Sequence, residues 1–276
     1  MIPTVTLNDG TAMPQLGFGV FQVPDDGAHR AVATALETGY RSIDTAAVYG
    51  NEAGVGRAVA ASGVPREELF VTTKLWLDGL SRDGVRPALE ASLERLGLDQ
   101  VDLFLIHWPA PATDDYLAAW EGMREVRDAG LTRSVGVSNF LPEHLRRLGE
   151  RDDSSGTVPS VNQVELHPAL QNRDTVAADA AHGIVTEAWS PLGQGAALAD
   201  PVVTDIAAAH GATAAQVVLA WHLQQGRVVI PKSVTPARIA ENLAATDVHL
   251  TASDLARIDA LDRGMRTGPH PAEFNG

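Results

Sequence analysis

Eight short apolar runs alternate along the chain with longer segments of helical periodicity. The runs are rich in Val, Ile and Leu, and most lack the polar alternation of a half-exposed strand. This pattern is typical of strands that are buried on both faces of a parallel sheet. We expect one strand in each run: Leu16–Val20, Arg41–Asp44, Leu69–Lys74, Val101–His107, Arg133–Asn139, Ser160–Glu165, Ile184–Trp189 and Val228–Lys232.

The segments between these runs predict amphipathic helices. Four of them stop just before a glycine, which supplies the left-handed cap of a helix: Ala28–Thr38, Glu52–Ser62, Arg82–Leu96 and Tyr116–Ala129. Five more are expected at Pro142–Gly149, Arg173–His182, Thr213–Gln225, Pro236–Ala244 and Ser253–Leu261. Thr213 and Gln216 have the spacing of a capping box, and Thr235 followed by Pro236 reads as an N-cap before a first-turn proline.

Eight strands, each followed by helical sequence, predict an α/β protein with the (β/α)8 TIM-barrel fold. The length of 276 residues suits one such barrel, so we expect a single domain over residues 1–276. Val5–Gly10 contains an Asp-Gly turn signal and predicts an N-terminal β-hairpin that plugs one end of the barrel. The Gly- and Pro-rich tail, Gly264–Gly276, is expected to be loop.

Composition narrows the classes of function. The formal net charge of −14 would repel a phosphate backbone, so nucleic acid is not an expected partner. The chain contains no cysteine, which excludes disulfides, thiolate metal sites and a cysteine nucleophile. Neither a signal peptide nor an apolar run of about 18 residues is evident, so we expect a cytoplasmic protein without a membrane span.

Positive charge is supplied almost wholly by arginine. Only Lys74 and Lys232 are lysines, and each closes a predicted strand. Lysine is a compact, titratable point charge, whereas arginine is a broad planar fork that stays protonated. Chance could leave two lysines in such a chain, but their positions suggest that something at these strand ends requires an ammonium group.

Active sites of such barrels form at the C-terminal ends of the strands. Polar or aromatic side chains occupy seven consecutive strand ends here: Asp44, Lys74, His107, Ser138 with Asn139, Gln163, Trp189 with Ser190, and Lys232 with Ser233. Tyr49 follows the second strand. A phenol titrates near ~10, and a nearby ammonium should lower its pKa and make it a better acid at neutral pH.

Five segments of the sequence together resemble the aldo-keto reductase family. They are Gly39–Glu52, Lys74, Ile106–Pro109, Gly136–Asn139 and Ile230–Ser233. The likeness extends from about residue 4 to about residue 262 and is greatest to bacterial reductases of the 2,5-diketo-D-gluconate reductase type. It implies a monomeric, NADPH-dependent enzyme that reduces aldehydes or ketones to alcohols, with keto-sugar acids among the candidate substrates.

The resemblance also implies roles for individual residues. Asp44, Tyr49, Lys74 and His107 match the catalytic tetrad of the family. Tyr49 would be the general acid that protonates the carbonyl oxygen, and Lys74, held by Asp44, would tune it. His107 would orient the carbonyl by a hydrogen bond.

Further matches imply a site for the cofactor. The carboxamide of the nicotinamide would be held by Ser138, Asn139 and Gln163, and Trp189 would stack on the ring. Ser190, Leu192 and Gly193 match a loop that covers the pyrophosphate, and the loop Gln194–Asp200 that follows is short. Lys232, Ser233, Val234 and Arg238 would surround the adenosine 2′-phosphate at a helix start, with Glu241 and Asn242 near the adenine, which favours NADPH over NADH.

Aromatic residues after the strands predict a pocket wall for substrate. Phe21, Trp76 and Trp108 follow strands one, three and four, and His270 and Phe274 of the tail could reach the same pocket. Gly54-x-Gly56-x-x-Val59 lacks the third glycine of a dinucleotide fingerprint and does not directly follow a strand, so it is not a Rossmann motif. The histidines lack HExxH spacing, which leaves a metal site unsupported.

Two other classes of function remain open at this stage. Barrels often place a nucleophilic lysine at a strand end, so Lys74 could form a Schiff base in an aldolase. Alternatively, the protein could bind a nicotinamide cofactor as a sensor without turning over a carbonyl, although the complete tetrad argues against this.

Overall fold

The protein is described by a computed structural model over residues 2–151 and 158–276. Its central element is a sheet of eight parallel strands in the order β3 to β10. Two further strands precede it and pair with each other. The strands are β1 (Thr4–Thr6), β2 (Ala12–Pro14), β3 (Phe18–Gly19), β4 (Ser42–Asp44), β5 (Phe70–Leu75), β6 (Val101–Ile106), β7 (Thr132–Ser138), β8 (Val161–Glu165), β9 (Val185–Trp189) and β10 (Val228–Val229).

Backbone hydrogen bonds between the first and last strands close this sheet into a barrel. The amide of Gly17 donates to the carbonyl of Val229 at 2.9 Å, and the amide of Val229 donates to Gln15 at 2.8 Å. Gly19 continues the ladder to Pro231 at 3.1 Å. A Cβ at Gly19 would lie 3.2 Å from the carbonyl oxygen of Ile230, so glycine suits this close seam. The predicted (β/α)8 barrel is confirmed.

Helices connect the barrel strands and end close to the predicted positions. They are α1 (Asp25–Thr38), α2 (Glu52–Ala61), α3 (Arg82–Leu96), α4 (Tyr116–Asp128), α5 (Pro142–Arg151), α6 (Arg173–Ala181), α7 (Pro201–His210), α8 (Ala214–Gln224), α9 (Pro236–Leu243) and α10 (Ala252–Asp259). The capping box of Thr213 and Gln216 is present at the start of α8. In the described part of the chain no single helix could span a membrane by length and composition; α7 and α8, bent by 90°, meet that test only as a pair.

Helix α7 was not predicted from the sequence. Its start is fixed by Asp200, whose side chain accepts a hydrogen bond from the amide of Val202, and Pro201 takes the first helical position. Gly211 ends the helix in the left-handed conformation. These are the capping signals of a helix, but they enclose an Ala-rich stretch whose apolar positions lack clear periodicity.

The N-terminal hairpin closes the bottom of the barrel, as predicted. Strands β1 and β2 pair antiparallel, with Val5 opposite Met13. Met13 is fully buried against residues of the lower barrel interior: Phe70, Leu103, Leu105, Val161 and Val228. The lower interior is therefore a packed apolar layer, and polar side chains at the upper ends of the strands are left facing the opposite mouth.

Candidate active site

A buried ion pair forms the base of the upper mouth. The ammonium of Lys74 on β5 lies 2.5 Å from Oδ1 of Asp44 at the end of β4, and it also donates to the carbonyl of Thr45 at 2.9 Å. Lys74 is fully buried and Asp44 nearly so. Such a charge pair is tolerated away from water because each partner is matched by the other and by further hydrogen bonds.

Tyr49 lies above this pair in a short 3-10 helix, Ala47–Tyr49, rather than in plain loop. The centre of its ring is 5.2 Å from the ammonium of Lys74 and 5.6 Å from the ring of His107, which follows β6. Asn51 anchors the segment, since it accepts from the hydroxyl of Thr45 and donates to two carbonyls of the first βα loop. The structure thus brings all four predicted tetrad residues together.

Burial dominates the electrostatics of the phenol. It raises the pKa of Tyr49, and the positive charge of Lys74 opposes but does not reverse this effect. The expected lowering of the phenol pKa is therefore wrong in net direction, because the sequence indicated the ammonium but not the depth of the site. The consequence is that Tyr49 holds its proton at neutral pH and is available as a hydrogen-bond donor.

Lys74 is charged near neutral pH, whereas His107 is neutral. Burial lowers the pKa of Lys74, but the Asp44 carboxylate and Tyr49 outweigh it, so the net pKa is raised and the ammonium stays charged. Burial, and then the charge of Lys74, hold the pKa of His107 well below its usual value. The imidazole is therefore neutral near pH 7, and the site offers two neutral donors above one buried cation.

The side chain of Gln163 links this ion pair to a second buried carboxyl group. Its amide nitrogen donates to Oδ2 of Asp44 and to Oε2 of Glu187, both at 2.8 Å. Glu187 lies on β9 opposite Gln163 on β8 and is completely buried. Burial and the negative charge of Asp44 raise the pKa of Glu187 to about 8.

Glu187 was missed by the sequence reasoning. The signal that could have found it is its position two residues before Trp189, since alternate residues of a strand share one face. A glutamate on the inward face of a barrel strand requires a buried partner, and Gln163 supplies it.

Ser138, Asn139 and Trp189 form a connected cluster beside Gln163. The Ser138 hydroxyl donates to the backbone carbonyl of Gln163 at 2.8 Å. Asn139, in the left-handed region at φ 64°, donates to Ser138 and to the carbonyl of His107. Its Oδ1 accepts from the indole of Trp189 at 2.8 Å, which fixes the half-exposed ring at the mouth.

The segment after Trp189 is a tight turn. Ser190 and Gly193 both have positive φ, and the amide of Gly193 donates to the carbonyl of Ser190 at 2.8 Å. A Cβ at Gly193 would lie 3.3 Å from the ring of His167, so the turn packs closely over that histidine. Leu192 lies within the turn, half-buried. Residues Gly193–Ala199 form 3-10 turns that are interrupted by a kink at Gln194 and Gly195, where φ is positive.

The predicted phosphate-binding residues lie separately, after β10 and on α9. Lys232, Val234 and Arg238 are exposed, and neither cation forms an ion pair with a carboxylate in the described ranges 2–151 and 158–276. Ser233 is buried and accepts from the amide of Thr235 at 3.1 Å. The two residues predicted near the adenine are Glu241, which accepts from Thr213 at 2.7 Å, and the buried Asn242.

Aromatic side chains surround the tetrad. The ring of Phe21 lies 5.1 Å from Tyr49, and that of Trp76 lies 5.2 Å from His107. Phe274 of the C-terminal tail lies 4.4 Å from Trp108 and 6.3 Å from Trp76, measured between ring centres. The three predicted wall residues and Phe274 therefore form one apolar rim, whereas His270 is exposed and contacts its own turn.

The tail reaches this rim because Glu165, at the end of β8, holds it. The carboxylate of Glu165 accepts from the amide and hydroxyl of Thr267, both at 2.6 Å, and from the amide of Gly268 at 3.1 Å. A Cβ at Gly268 would lie 2.5 Å from the ring of Trp189, so the tail packs directly on that indole. Nothing in the sequence indicated this pairing, which joins residues about a hundred positions apart.

Comparison with known proteins decides the family. The model of the aldo/keto reductase family matches residues 10–263. The chain belongs to the aldo/keto reductase family. Its relatives within this family include an aldo-keto reductase of Mycolicibacterium smegmatis, 52% identical over 275 residues and covering 100% of this chain and 99% of the relative. Methylglyoxal reductase DkgA of Escherichia coli is 52% identical over 277 residues, covering 99% of each protein.

Solved structures of aldo/keto reductases agree with the fold. A variant of Gox0644 in complex with NADPH superposes with a TM-score of 0.94 at 42% identity, covering 99% of each chain. The enzyme of Bombyx mori in complex with NADP gives a TM-score of 0.89 at 39% identity, covering 96% of this chain and 94% of that one. The predictions of family, barrel fold and oxidoreductase class are confirmed, and the roles of the individual site residues remain to be argued from their geometry.

Proposed function

We propose that this aldo/keto reductase reduces the carbonyl of a small aldehyde or α-oxoaldehyde, with Tyr49 as the proton donor. The observation that carries the proposal is the buried Lys74–Asp44 pair directly beneath a protonated phenol and beside a neutral histidine. A carbonyl oxygen that gains negative charge requires donors aimed at it and a cation to stabilise the group that loses its proton. Tyr49, His107 and Lys74 supply these three functions.

The cofactor is NADPH, as predicted from the sequence; two solved relatives contain NADPH or NADP. When bound, NADPH supplies the hydride. The residues present fit this cofactor. Asn139 holds the indole of Trp189 at the mouth. The amide nitrogen of Gln163 donates to two carboxyl groups, which leaves its amide oxygen for another donor. We assign the carboxamide contacts to Ser138, Asn139 and Gln163, and the covering turn to Ser190, Leu192 and Gly193.

Selectivity for the 2′-phosphate is assigned to the start of α9. Lys232 and Arg238 are exposed cations without ion-pair partners among the described residues, on a protein of net charge −14. Two free cations near the N-terminus of a helix attract a phosphate, because the backbone amides and the helix dipole add to their charge. Ser233 and Val234 border this site, and Glu241 and Asn242 lie further along the same helix.

Proton transfer follows from the charge states of the free protein. Tyr49 donates its proton to the carbonyl oxygen, and the phenolate that remains lies beside the Lys74 ammonium, which stabilises it. His107 donates an N–H to the same oxygen and fixes its direction. Burial raises the pKa of the phenol, so the proton stays on Tyr49 until a substrate oxygen with developing charge accepts it.

The rim suggests the class of substrate. Phe21, Trp76, Trp108 and Phe274 form an apolar wall around a small polar base. Because the related DkgA of Escherichia coli is named a methylglyoxal reductase, we propose methylglyoxal and similar α-oxoaldehydes as substrates, with 2,5-diketo-D-gluconate as the second compound to test. An aldolase mechanism is disfavoured, because the raised pKa of Lys74 keeps its amine protonated and non-nucleophilic.

The test is the loss of NADPH absorbance with a panel of aldehydes, α-oxoaldehydes and keto-sugar acids, with NADH in parallel. We expect turnover with NADPH and the highest kcat/KM for α-oxoaldehydes. Borohydride trapping of a carbonyl compound on Lys74 would instead support the aldolase. Cofactor binding without turnover of any carbonyl in the panel would support a sensor.

A further inference from the structure

Glu187 is a buried carboxyl group that the proposed proton transfer does not use. It lies in the barrel interior at the level of the Lys74–Asp44 ion pair and is 0% exposed. Within residues 2–151 and 158–276 it makes one hydrogen bond, from the amide nitrogen of Gln163 at 2.8 Å. Its other oxygen, Oε1, has no partner among the described residues. A buried carboxyl group with one unmade bond costs folding free energy, so a function at this position would explain it.

The amide of Gln163 is held from two sides. Its nitrogen donates one hydrogen to Asp44 and the other to Glu187, each at 2.8 Å. A side-chain amide has two donors at one end and an acceptor at the other, and it can rotate to exchange them. Rotation of the amide would direct its oxygen at the Asp44 carboxylate, which cannot donate, and would give up the present hydrogen bond to Glu187, so the two carboxyl groups together favour the observed orientation.

We propose that Glu187 is a positioning residue for the nicotinamide: together with Asp44 it fixes Gln163 so that the amide oxygen is the end presented to the cofactor. This rests on the proposed contact of Gln163 with the carboxamide. The carboxamide carries an NH2 group, and the fixed oxygen of Gln163 accepts from it. Asp44 alone would leave one amide hydrogen without a partner, and the orientation would be less strictly held.

The charge of Glu187 is compatible with this role. The titratable groups around it are Asp44, Lys74 and Tyr49, and burial with Asp44 raises the pKa of Glu187 to about 8. Near neutral pH the group therefore keeps a proton. Its unprotonated oxygen still accepts from Gln163, so the carboxyl orients the amide without adding a second negative charge beside Asp44.

The test compares the affinity for NADP⁺ with that for its 3-acetylpyridine analogue, in which a methyl replaces the carboxamide NH2. Both affinities are measured by quenching of tryptophan fluorescence, without turnover. The wild-type protein should bind NADP⁺ roughly 3- to 10-fold more tightly than the analogue, the ratio expected for one hydrogen bond. In Glu187→Leu this ratio should fall towards one, and in Glu187→Gln, whose carbonyl can accept from Gln163, it should remain.

Controls separate positioning from structural damage. In a Gln163→Leu background, Glu187→Leu should not change the ratio further, because the contact is already absent. Glu52→Gln alters another buried glutamate, which hydrogen-bonds Thr73 and Arg95 outside the barrel, and should leave the ratio unchanged. If Glu187→Leu does not fold, Glu187→Ala provides the same measurement.

A wild-type ratio retained in Glu187→Leu or Glu187→Ala would overturn the proposal. So would a wild-type protein that binds NADP⁺ and the analogue equally, and this result would leave the proposed reductase function intact. Failure of the wild-type protein to bind NADP⁺ or NADPH at all would instead contradict the proposed function and, with it, this inference.

Discussion

Lys74 and Asp44 form an ion pair of 2.5 Å that solvent does not reach. In the proposed mechanism the Lys74 ammonium stabilises the Tyr49 phenolate, and in the folded protein Asp44 matches the same charge before any substrate binds. Removal of one partner therefore should have a different effect from removal of both.

Lys74→Met should lower the free energy of unfolding by about 3–5 kcal/mol, because it leaves the buried Asp44 carboxylate without its cation. Adding Asp44→Asn should recover most of this loss while activity stays absent. Denaturant unfolding of the two single variants and the double variant measures this coupling. Equal destabilisation of Lys74→Met and the double variant would contradict this account, because it would show that the unpaired Asp44 carboxylate is not the source of the loss.

Arg238→Ala should weaken NADPH binding roughly 10- to 100-fold, the loss expected for one charge-assisted hydrogen bond to phosphate, and should leave NADH binding nearly unchanged. Kd values for both cofactors measure the difference. Arg257→Ala is a matched control, since Arg257 is another exposed arginine, on α10, which forms an ion pair with Asp205. Equal losses for NADPH and NADH in Arg238→Ala would count against a 2′-phosphate contact there.

Glu187 should make stability depend on pH. The folded protein holds the Glu187 proton up to about pH 8, whereas an unfolded glutamate releases it near 4.5. Between these values the folded state binds more protons than the unfolded state, so stability falls as pH rises. Glu187→Gln cannot titrate and should lose less Tm than wild type between about pH 6 and about pH 9.

Burial also raises the pKa of Asp179, to about 7, so Asp179 too makes stability fall as pH rises. This effect is present in both wild type and Glu187→Gln. The difference between the two pH profiles therefore isolates Glu187. Parallel profiles would show that Glu187 titrates normally in the folded protein.

Phe274→Ala should raise KM for apolar aldehydes with a smaller effect on kcat, because it removes a rim contact with Trp108 and leaves the tetrad in place. Steady-state kinetics with short and long aldehydes measure the effect, which should grow with substrate length. His270→Ala serves as the control from the same tail, since that side chain is exposed and accepts a hydrogen bond from Ala272 in its own turn. An equal effect of both substitutions would mean that the tail acts by its general order rather than by this ring.

The sequence predicted the barrel well because its signals are local. Most of the buried strands are rich in Val, Ile and Leu, and polar residues follow at or near their ends. Asp44, Lys74 and His107 could therefore be placed at one mouth from the sequence. Helix α7 was missed because its Ala-rich sequence has weak periodicity, although Asp200 and Gly211 mark its ends.

Properties that depend on how deeply a side chain is buried, and contacts between segments distant in sequence, could not be predicted. The net rise of the Tyr49 pKa depends on burial, which residue order does not reveal. The hydrogen bond from Thr267 to Glu165 joins a tail without regular structure to the end of a strand. The predictions that the protein is a monomer, is cytoplasmic, forms one domain and has no nucleic-acid or membrane partner stay predictions.

The central claim is that Tyr49 is the general acid, and Tyr49→Phe tests it most directly when turnover and NADPH binding are measured on the same preparation. Loss of a general acid should lower kcat by about 10²- to 10⁴-fold. The affinity for NADPH should stay near the wild-type value, because the ring is retained and the cofactor contacts are elsewhere. Retention of full turnover in Tyr49→Phe would contradict the account.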